Sequence, residues 1–211
     1  MSVVERVRRT LLRETAHAVI RDAIVRGDLA PGSVVRDADL AEELGLSRSP
    51  VRDALARLAD EGLIGTKPQS HTRVTPLASR EVRDATAVVR AMHELAARTA
   101  VPLLRDEDCE AMAAANDRFA AAAGTGDVDE ALRADDELHD VLVRVCGNRA
   151  VAATIERYTP LIRRLERIRF SDGHRSAELH TRLIAACRAR DTDAATEVTT
   201  EIWRELEDLA D

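Results

Sequence analysis

The segment 37–62 leaves this chain few folds to choose from. Leu40, Ala41 and Leu44 recur at helical spacing and Gly45 ends that run. Leu46 bridges to a second run, in which Val51, Leu55 and Leu58 fall at i, i+4 and i+7 before Gly62 stops it. Ser47 or Ser49 can cap the second helix, and Pro50 is tolerated in a first turn, where no internal N–H bond is required. Two short helices joined by a glycine-containing turn predict a helix-turn-helix.

The flanks extend the pattern. Before it, Leu12, Ala16, Val19, Ile20, Ala23 and Ile24 predict a helix over 10–26 with one apolar face, stopped by Gly27 ahead of a Pro31-Gly32 turn. After it, 63–65 and 72–75 read as two short strands, with 67–71 as the hairpin tip between them. The boundary falls at 76–79, so 1–76 forms a winged helix-turn-helix and 77–211 a second domain. That second domain predicts helices over about 79–101, 105–123, 127–146, 149–170, 174–190 and 191–209. Its breaks are Pro102, Gly124-Thr125-Gly126, Gly147-Asn148 and Asp172-Gly173. Pro160 should kink the fourth of these helices or shift its start. The short connections predict antiparallel neighbours, as in a helical bundle. An alanine-rich chain with 2% aromatic residues fits packed helices better than sheets. The fold class is therefore mainly α: an N-terminal winged helix-turn-helix and a C-terminal all-α antiparallel bundle.

Several function classes fall away. No apolar run is long enough to span a membrane, and the charged N-terminus lacks the apolar core of a signal peptide. Cys109, Cys146 and Cys187 are odd in number and widely spaced, which indicates neither a disulfide framework nor a zinc ribbon. A cytoplasmic protein with reduced thiols is expected. The net charge of −7 argues against nucleic acid only until it is divided. Residues 1–75 carry 12 basic and 11 acidic side chains, net +1, and the remainder 19 and 27, net −8. The acidity belongs to the second domain, and the first can still present a basic face.

Arg48 and Arg52 share one face of the second helix, opposite Val51, Leu55 and Leu58. Once that stripe is buried, both project outward near the helix N-terminus, where phosphate is favoured and where arginine can hold guanine O6 and N7 bidentately. Ser47 and Ser49 add short hydroxyl donors. The stretch Ile20-Arg21-Asp22-Ala23-Ile24, then Gly27-Asp28-Leu29-Ala30-Pro31-Gly32, then the helix-turn-helix itself and Asp60-Glu61-Gly62-Leu63-Ile64, resembles the GntR family of bacterial transcription regulators. The resemblance covers about residues 12–75. It implies a winged helix-turn-helix that binds double-stranded operator DNA as a homodimer, with contacts from Ser47, Arg48, Ser49 and Arg52 and, in the wing, His71 and Arg73. His71 stands where the family usually has glycine, which implies an altered wing geometry or an added pH-sensitive contact.

Residues 79–211 resemble the all-helical effector (FCD-type) domain of the FadR subgroup. Arg90-Ala91-Met92-His93-Glu94 fits its opening helix. Asp135-Asp136-Glu137-Leu138-His139 with Cys146-Gly147-Asn148 fits its middle motif, and His180 with Leu183 and Ile184 its last hairpin. The resemblance implies a small carboxylate effector and, in many members, a divalent metal held by one aspartate and three histidines. Asp135 and His139 lie at i, i+4 and can converge on one ion, with His180 as a third ligand from another helix. Carboxylate and imidazole suit zinc, nickel, manganese or iron alike. The family's last histidine is replaced by Ile202, and its phenylalanine before the middle histidine by Leu138. Arg90 suits a bidentate carboxylate contact or a salt bridge with Glu94, and His93, three residues on, shares its side of the helix. Trp203 is expected in packing.

Three readings follow: a ligand-responsive regulator, most often a repressor, with a metal site; the same regulator with a metal-free pocket; and a non-haem metal enzyme. Against the third, no general base or nucleophile pair stands beside the candidate ligands.

Overall fold

Ala16, Ile20 and Ile24, four residues apart, form the buried seam of helix α1 (Val3–Arg26). The seam packs on α3 (Arg48–Asp60), whose Val51, Ala54, Leu55 and Leu58 are buried. Each buried valine, leucine or isoleucine among them contributes roughly 1.5–3 kcal/mol relative to exposure. α2 (Asp37–Glu43) closes this cluster with Leu40 and Ala41. These elements are taken from a computed structural model that describes residues 3–66, 72–77, 80–170 and 173–209.

Two expectations for α1 change. It begins at Val3, because no glycine or proline interrupts the charged run ahead of Thr10. Leu12 and Val19 are exposed, because the seam follows the i+4 ladder 16–20–24 and His17 shares its inner side. Between α2 and α3, Gly45 takes a φ of +63°, a left-handed turn that a side chain would strain.

β1 (Ile64–Thr66) pairs antiparallel with β2 (Thr72–Val74), with Ile64 opposite Val74. β1 starts one residue later than expected because the Leu63 amide still closes the end of α3 on the Leu58 carbonyl, at 2.9 Å. The wing is also wider than two strands. The Gly32 and Val35 amides donate to the Val74 and Thr72 carbonyls at 2.9 and 2.8 Å, so residues 32–35 line the other edge of β2.

Contacts between residues divide the chain into Met1–Val82 and Arg83–Asp211. The second unit holds α4 (Arg80–Ala100, most of which lies in it), a 3-10 turn at Val101–Leu103, α5 (Asp106–Thr125), α6 (Val128–Cys146), α7 (Arg149–Arg169), α8 (Gly173–Arg188) and α9 (Thr192–Leu209). Sequence neighbours α5–α6 and α8–α9 pack together, and α5 also packs on α8. Met112, Leu138, Leu142, Leu183 and Cys187 fill the core between them. Glycines in the left-handed region end α5 and α6, at Gly126 and Gly147. The next residues cap the following helices: Asp127 accepts from the Glu130 amide, and Asn148 from Ala150 and Val151. That cap settles where α7 starts, and the helix runs on to Arg169 with Pro160 inside it. The three cysteines are free.

Candidate functional site

The α3 stripe that buries Val51, Ala54, Leu55 and Leu58 turns Ser47, Arg48, Ser49 and Arg52 to solvent. Ser47 occupies the N-cap position but its side chain makes no capping bond, and Ser49 lies inside the helix, so the serine cap expected here is not formed. Asp37, at the start of α2, receives Arg48 in a bidentate pair: Nη2 lies 2.9 Å from Oδ1 and Nε 3.3 Å from Oδ2. Arg52 Nε stands 3.9 Å from the same carboxylate. The Arg48 hydrogen bond holds the Asp37 carboxyl below the usual carboxylate range. Nothing in the sequence pattern marks Asp37 for this role, since it lies eleven residues from Arg48 on another helix. Arg73 is exposed on β2 and donates to the Gly32 carbonyl at 3.0 Å, while His71 lies outside the described residues.

The second cluster is in the helical unit. Asp135 and His139 on α6 and His180 on α8 bring one potential ligand atom each within 4.8 Å of the others. His180 Nε2 is 3.3 Å and His139 Nε2 3.8 Å from Asp135 Oδ1. Asn116 on α5 sets the His180 ring. Its Nδ2 donates to the Ala177 carbonyl and the Thr181 hydroxyl, which leaves Oδ1, 3.1 Å from His180 Nδ1, as the acceptor of an Nδ1–H. Nε2 therefore faces a carboxylate oxygen across a gap that requires a proton or a metal ion. Burial holds His139 down to about 4 and His93 to about 3, so both rings are neutral and available as bases at neutral pH. Burial opposes ionisation of Asp135, but the His180 bond and the charges of His139, His180 and Arg163 outweigh it and keep the carboxyl well below its ordinary range.

Arg163 on α7 is the cation that accompanies this triad. Its Nη1 is 3.5 Å from Asp135 Oδ2 and 2.7 Å from Glu166 Oε2, and it also pairs with Asp136. Burial pushes Asp136 up to about 6 and Glu166 up to about 7. The signal for Arg163 in the sequence is its setting: the apolar Leu161, Ile162 and Leu165 around it are all buried, so a cation there must meet carboxylates.

The other expected groups lie differently. Arg90 is engaged by the chain's own carboxylates, Glu207 at 3.2 Å and Glu94 at 4.0 Å. His93 is stacked on Trp203 with ring centroids 4.5 Å apart and stands edge-on to His139 at 5.6 Å, outside the group of ligand atoms. Trp203 itself is buried in the core formed with Val89, Ile155 and Ile162. Ile202, which has no donor to offer, is half-buried and packs against this core and its neighbour.

Comparison with known proteins matches both parts of the chain to families. Residues 12–74 match the model of the bacterial regulatory proteins, gntR family, and residues 83–205 match the FCD domain. The chain is 24% identical to the HTH-type transcriptional repressor RspR of Escherichia coli, over 92% of this chain and 87% of that protein. It is 31% identical to an uncharacterized HTH-type transcriptional regulator in the TAR-I ttuE-ttuC' intergenic region of Agrobacterium vitis, over 61% of this chain and 77% of that one. Among solved structures, E. coli McbR/YncC shares the fold with a TM-score of 0.76 at 20% identity, over 92% of this chain and 94% of that one.

Proposed function

Since the chain belongs to the GntR family, with an FCD domain following its helix-turn-helix, we propose that it is a homodimeric repressor whose hold on operator DNA is set by a small carboxylate in the helical unit. It is a transcriptional regulator with a DNA-binding domain and not an enzyme. The observation that carries the reading is the exposed edge Ser47-Arg48-Ser49 with Arg52, presented by a helix whose opposite stripe is buried. Arg48 and Arg52 supply guanidinium donors for base edges and phosphates, the serines supply hydroxyls to the backbone, and Asp37 restrains both arginines. Arg73 reaches DNA from the wing. Two copies tied together raise the effective concentration of the second half-site, which an acidic partner domain makes necessary.

Asp135, His139 and His180 suit one divalent ion: a carboxylate, two imidazoles, and an Asn116 bond that sets one of them. With Ile202 in place of a fourth donor, effector oxygen or water completes the shell. The metal supplies a Lewis-acid anchor for the carboxylate. A specific observation favours the metal-free alternative: Arg163 already offsets the Asp135 charge without an ion. An effector shifts the population of DNA-competent dimers only as far as its affinity for the two states differs.

In-vitro selection of bound DNA tests the first part, and a palindromic consensus is expected. Elemental analysis and titration with zinc, nickel and manganese test the second. Uptake of one ion per chain, lost in His139→Ala and tightened in Ile202→His, supports the metal site. No uptake of any of the three, with the effector response kept in His139→Ala, selects the metal-free pocket.

A further inference from the structure

Among the described residues, Glu201, Glu205 and Glu207 of α9 each meet an arginine from another helix, and the last of these pairs is poorly aligned. Arg175 Nε donates to Glu205 Oε1 at 2.5 Å, and Arg182 Nη1 stands 2.8 Å from Glu201 Oε2. Arg90 Nε on α4 lies 3.2 Å from Glu207 Oε1, but its N–H does not point at the oxygen, so both atoms are buried without a hydrogen bond. Glu94 is 4.0 Å from the same nitrogen and accepts from the Thr200 hydroxyl instead. Arginine presents five N–H donors in a planar fork that matches a carboxylate taken side-on. Among the described residues no hydrogen bond uses any of the five on Arg90.

The surroundings give this idle fork a place. His93, one turn after Arg90 on α4, stacks on Trp203, one turn before Glu207 on α9. Thr200, a turn further back, bonds Glu94. These contacts set α4 and α9 antiparallel, with Arg90 and Glu207 in the layer next to His93 and Trp203. His93 in turn stands edge-on to His139, so that neighbouring layer touches the Asp135–His139–His180 cluster. It also holds a third unsatisfied atom, because Trp203 is only 6% exposed and its Nε1–H is buried without an acceptor. Arg90 and Glu207 each keep 27% of their side chains accessible. An anion can therefore reach the guanidinium from solvent, and the glutamate has water to turn to.

We propose that Glu207 is a built-in stand-in for the carboxylate effector: it covers Arg90 in the free chain, and an incoming carboxylate takes the guanidinium fork and displaces it. The inference rests on the carboxylate reading given above and adds an internal competitor to it. A half-exposed pair without a directed bond is given up at small cost. Displacement frees the last turn of α9, where Leu206 packs against the core around Val89 and Trp203, so occupancy of the site is passed to that turn. A carboxylate carried on the neighbouring helix acts at a high effective concentration, which lowers the apparent affinity of any free carboxylate.

The test is titration of the full-length protein with citrate, malonate and lactate at constant ionic strength, read by the fluorescence of Trp203, the only tryptophan of the chain. Glu207→Gln should respond at about tenfold lower concentration than the wild type. Glu205→Gln removes the same charge from the same stretch of α9 and should respond as the wild type does, while Arg90→Gln should lose the response. Equal midpoints for the wild type and Glu207→Gln, or an equal shift in Glu205→Gln, would overturn the stand-in. If the same probes release operator DNA from the wild type in that case, the carboxylate reading stands without it. No saturable response from Trp203 and no release of operator DNA in any of these proteins would overturn both.

Discussion

Two arginine–aspartate clusters, one in each unit, use the same chemistry to opposite ends. Arg48 and Asp37 meet at the surface, where the guanidinium keeps about two-thirds of its accessibility despite its bidentate bonds. Arg163 meets Asp135, Asp136 and Glu166 with only 10% of its side chain accessible. In water a pair of this kind is worth little and can be exchanged for another anion, such as a DNA phosphate, at small cost. In a desolvated cluster the same charges cannot be separated cheaply, because each would be left buried and uncompensated. On the function proposed above, the first cluster would be remade on binding, while the second would persist. The sharpest way to break this distinction is to remove each arginine.

Arg163→Met should have the largest effect. It leaves three carboxylates around a cavity with no cation, and breaking a buried pair in this way costs about 3–5 kcal/mol. Urea denaturation at pH 8 measures it. The loss should shrink at pH 5, where Asp136 and Glu166, raised by burial to about 6 and about 7, take up protons. An Arg163→Met protein as stable as the wild type at pH 8 would show that the cluster is not held by charge. At the surface, Arg52→Ala should leave folding intact and weaken operator binding by about 1–3 kcal/mol at fixed salt if it makes a bidentate base contact. Equal weakening on operator and random DNA would instead identify a phosphate contact.

How far each cluster was legible follows from the range of its interactions. The recognition helix, its buried stripe and the outward pair Arg48 and Arg52 follow from periodicity and from Gly45 and Gly62, all local signals. The breaks at Gly124-Thr125-Gly126 and Gly147-Asn148 were legible for the same reason, since glycine acts on its own neighbours, though α5 runs on to Thr125. Asp135 and His139 share a turn of α6, and the position of His180 came from resemblance to a family. Asn116 and Asp37 had no such signal, and Arg163 had only its apolar neighbours to mark it, because each acquires its role from a partner on another helix. The edge that residues 32–35 add to the wing was hidden likewise, by pairing across more than thirty residues. Leu12 and Val19 show the limit of periodicity: an apolar residue near the seam is not in it unless another element covers it.

The two kinds of buried base and acid near Asp135 oppose each other with pH. The folded chain keeps Glu166 protonated up to about 7, whereas the unfolded chain releases that proton in the ordinary carboxylate range, so this group favours folding increasingly as pH falls through the interval between them. His139 and His93 work in the other direction. They remain neutral in the fold down to about 4 and about 3, while the unfolded chain protonates them below about 6.5, so their contribution is lost on acidification. Glu166→Gln removes the first effect and keeps the second. Its stability should fall relative to wild type by about 1 kcal/mol per pH unit between pH 7 and pH 5, read from urea midpoints in the presence of a chelator. Parallel curves for the two proteins would mean that Glu166 is already ionised in the fold.

The smallest effect on folding, and the most informative at the surface, should come from Asp37→Asn. The carboxylate lies half-buried at the surface and its pair with Arg48 does little for stability, so the thermal midpoint should stay close to that of the wild type. For DNA the carboxylate acts in two opposed ways. It places a negative charge beside arginines that must approach phosphate, which weakens binding to every sequence. It also restrains Arg48, and Arg52 more loosely, so less rotamer freedom would be lost if they dock against base edges as proposed. Removing the charge should therefore tighten binding to random DNA, while removing the restraint should narrow the margin between operator and random DNA. Competition titrations with both DNAs at two salt concentrations separate these contributions, because the charge effect diminishes with salt and the restraint does not. A variant that binds both DNAs more tightly by the same factor would mean that Asp37 only repels phosphate and does not position Arg48.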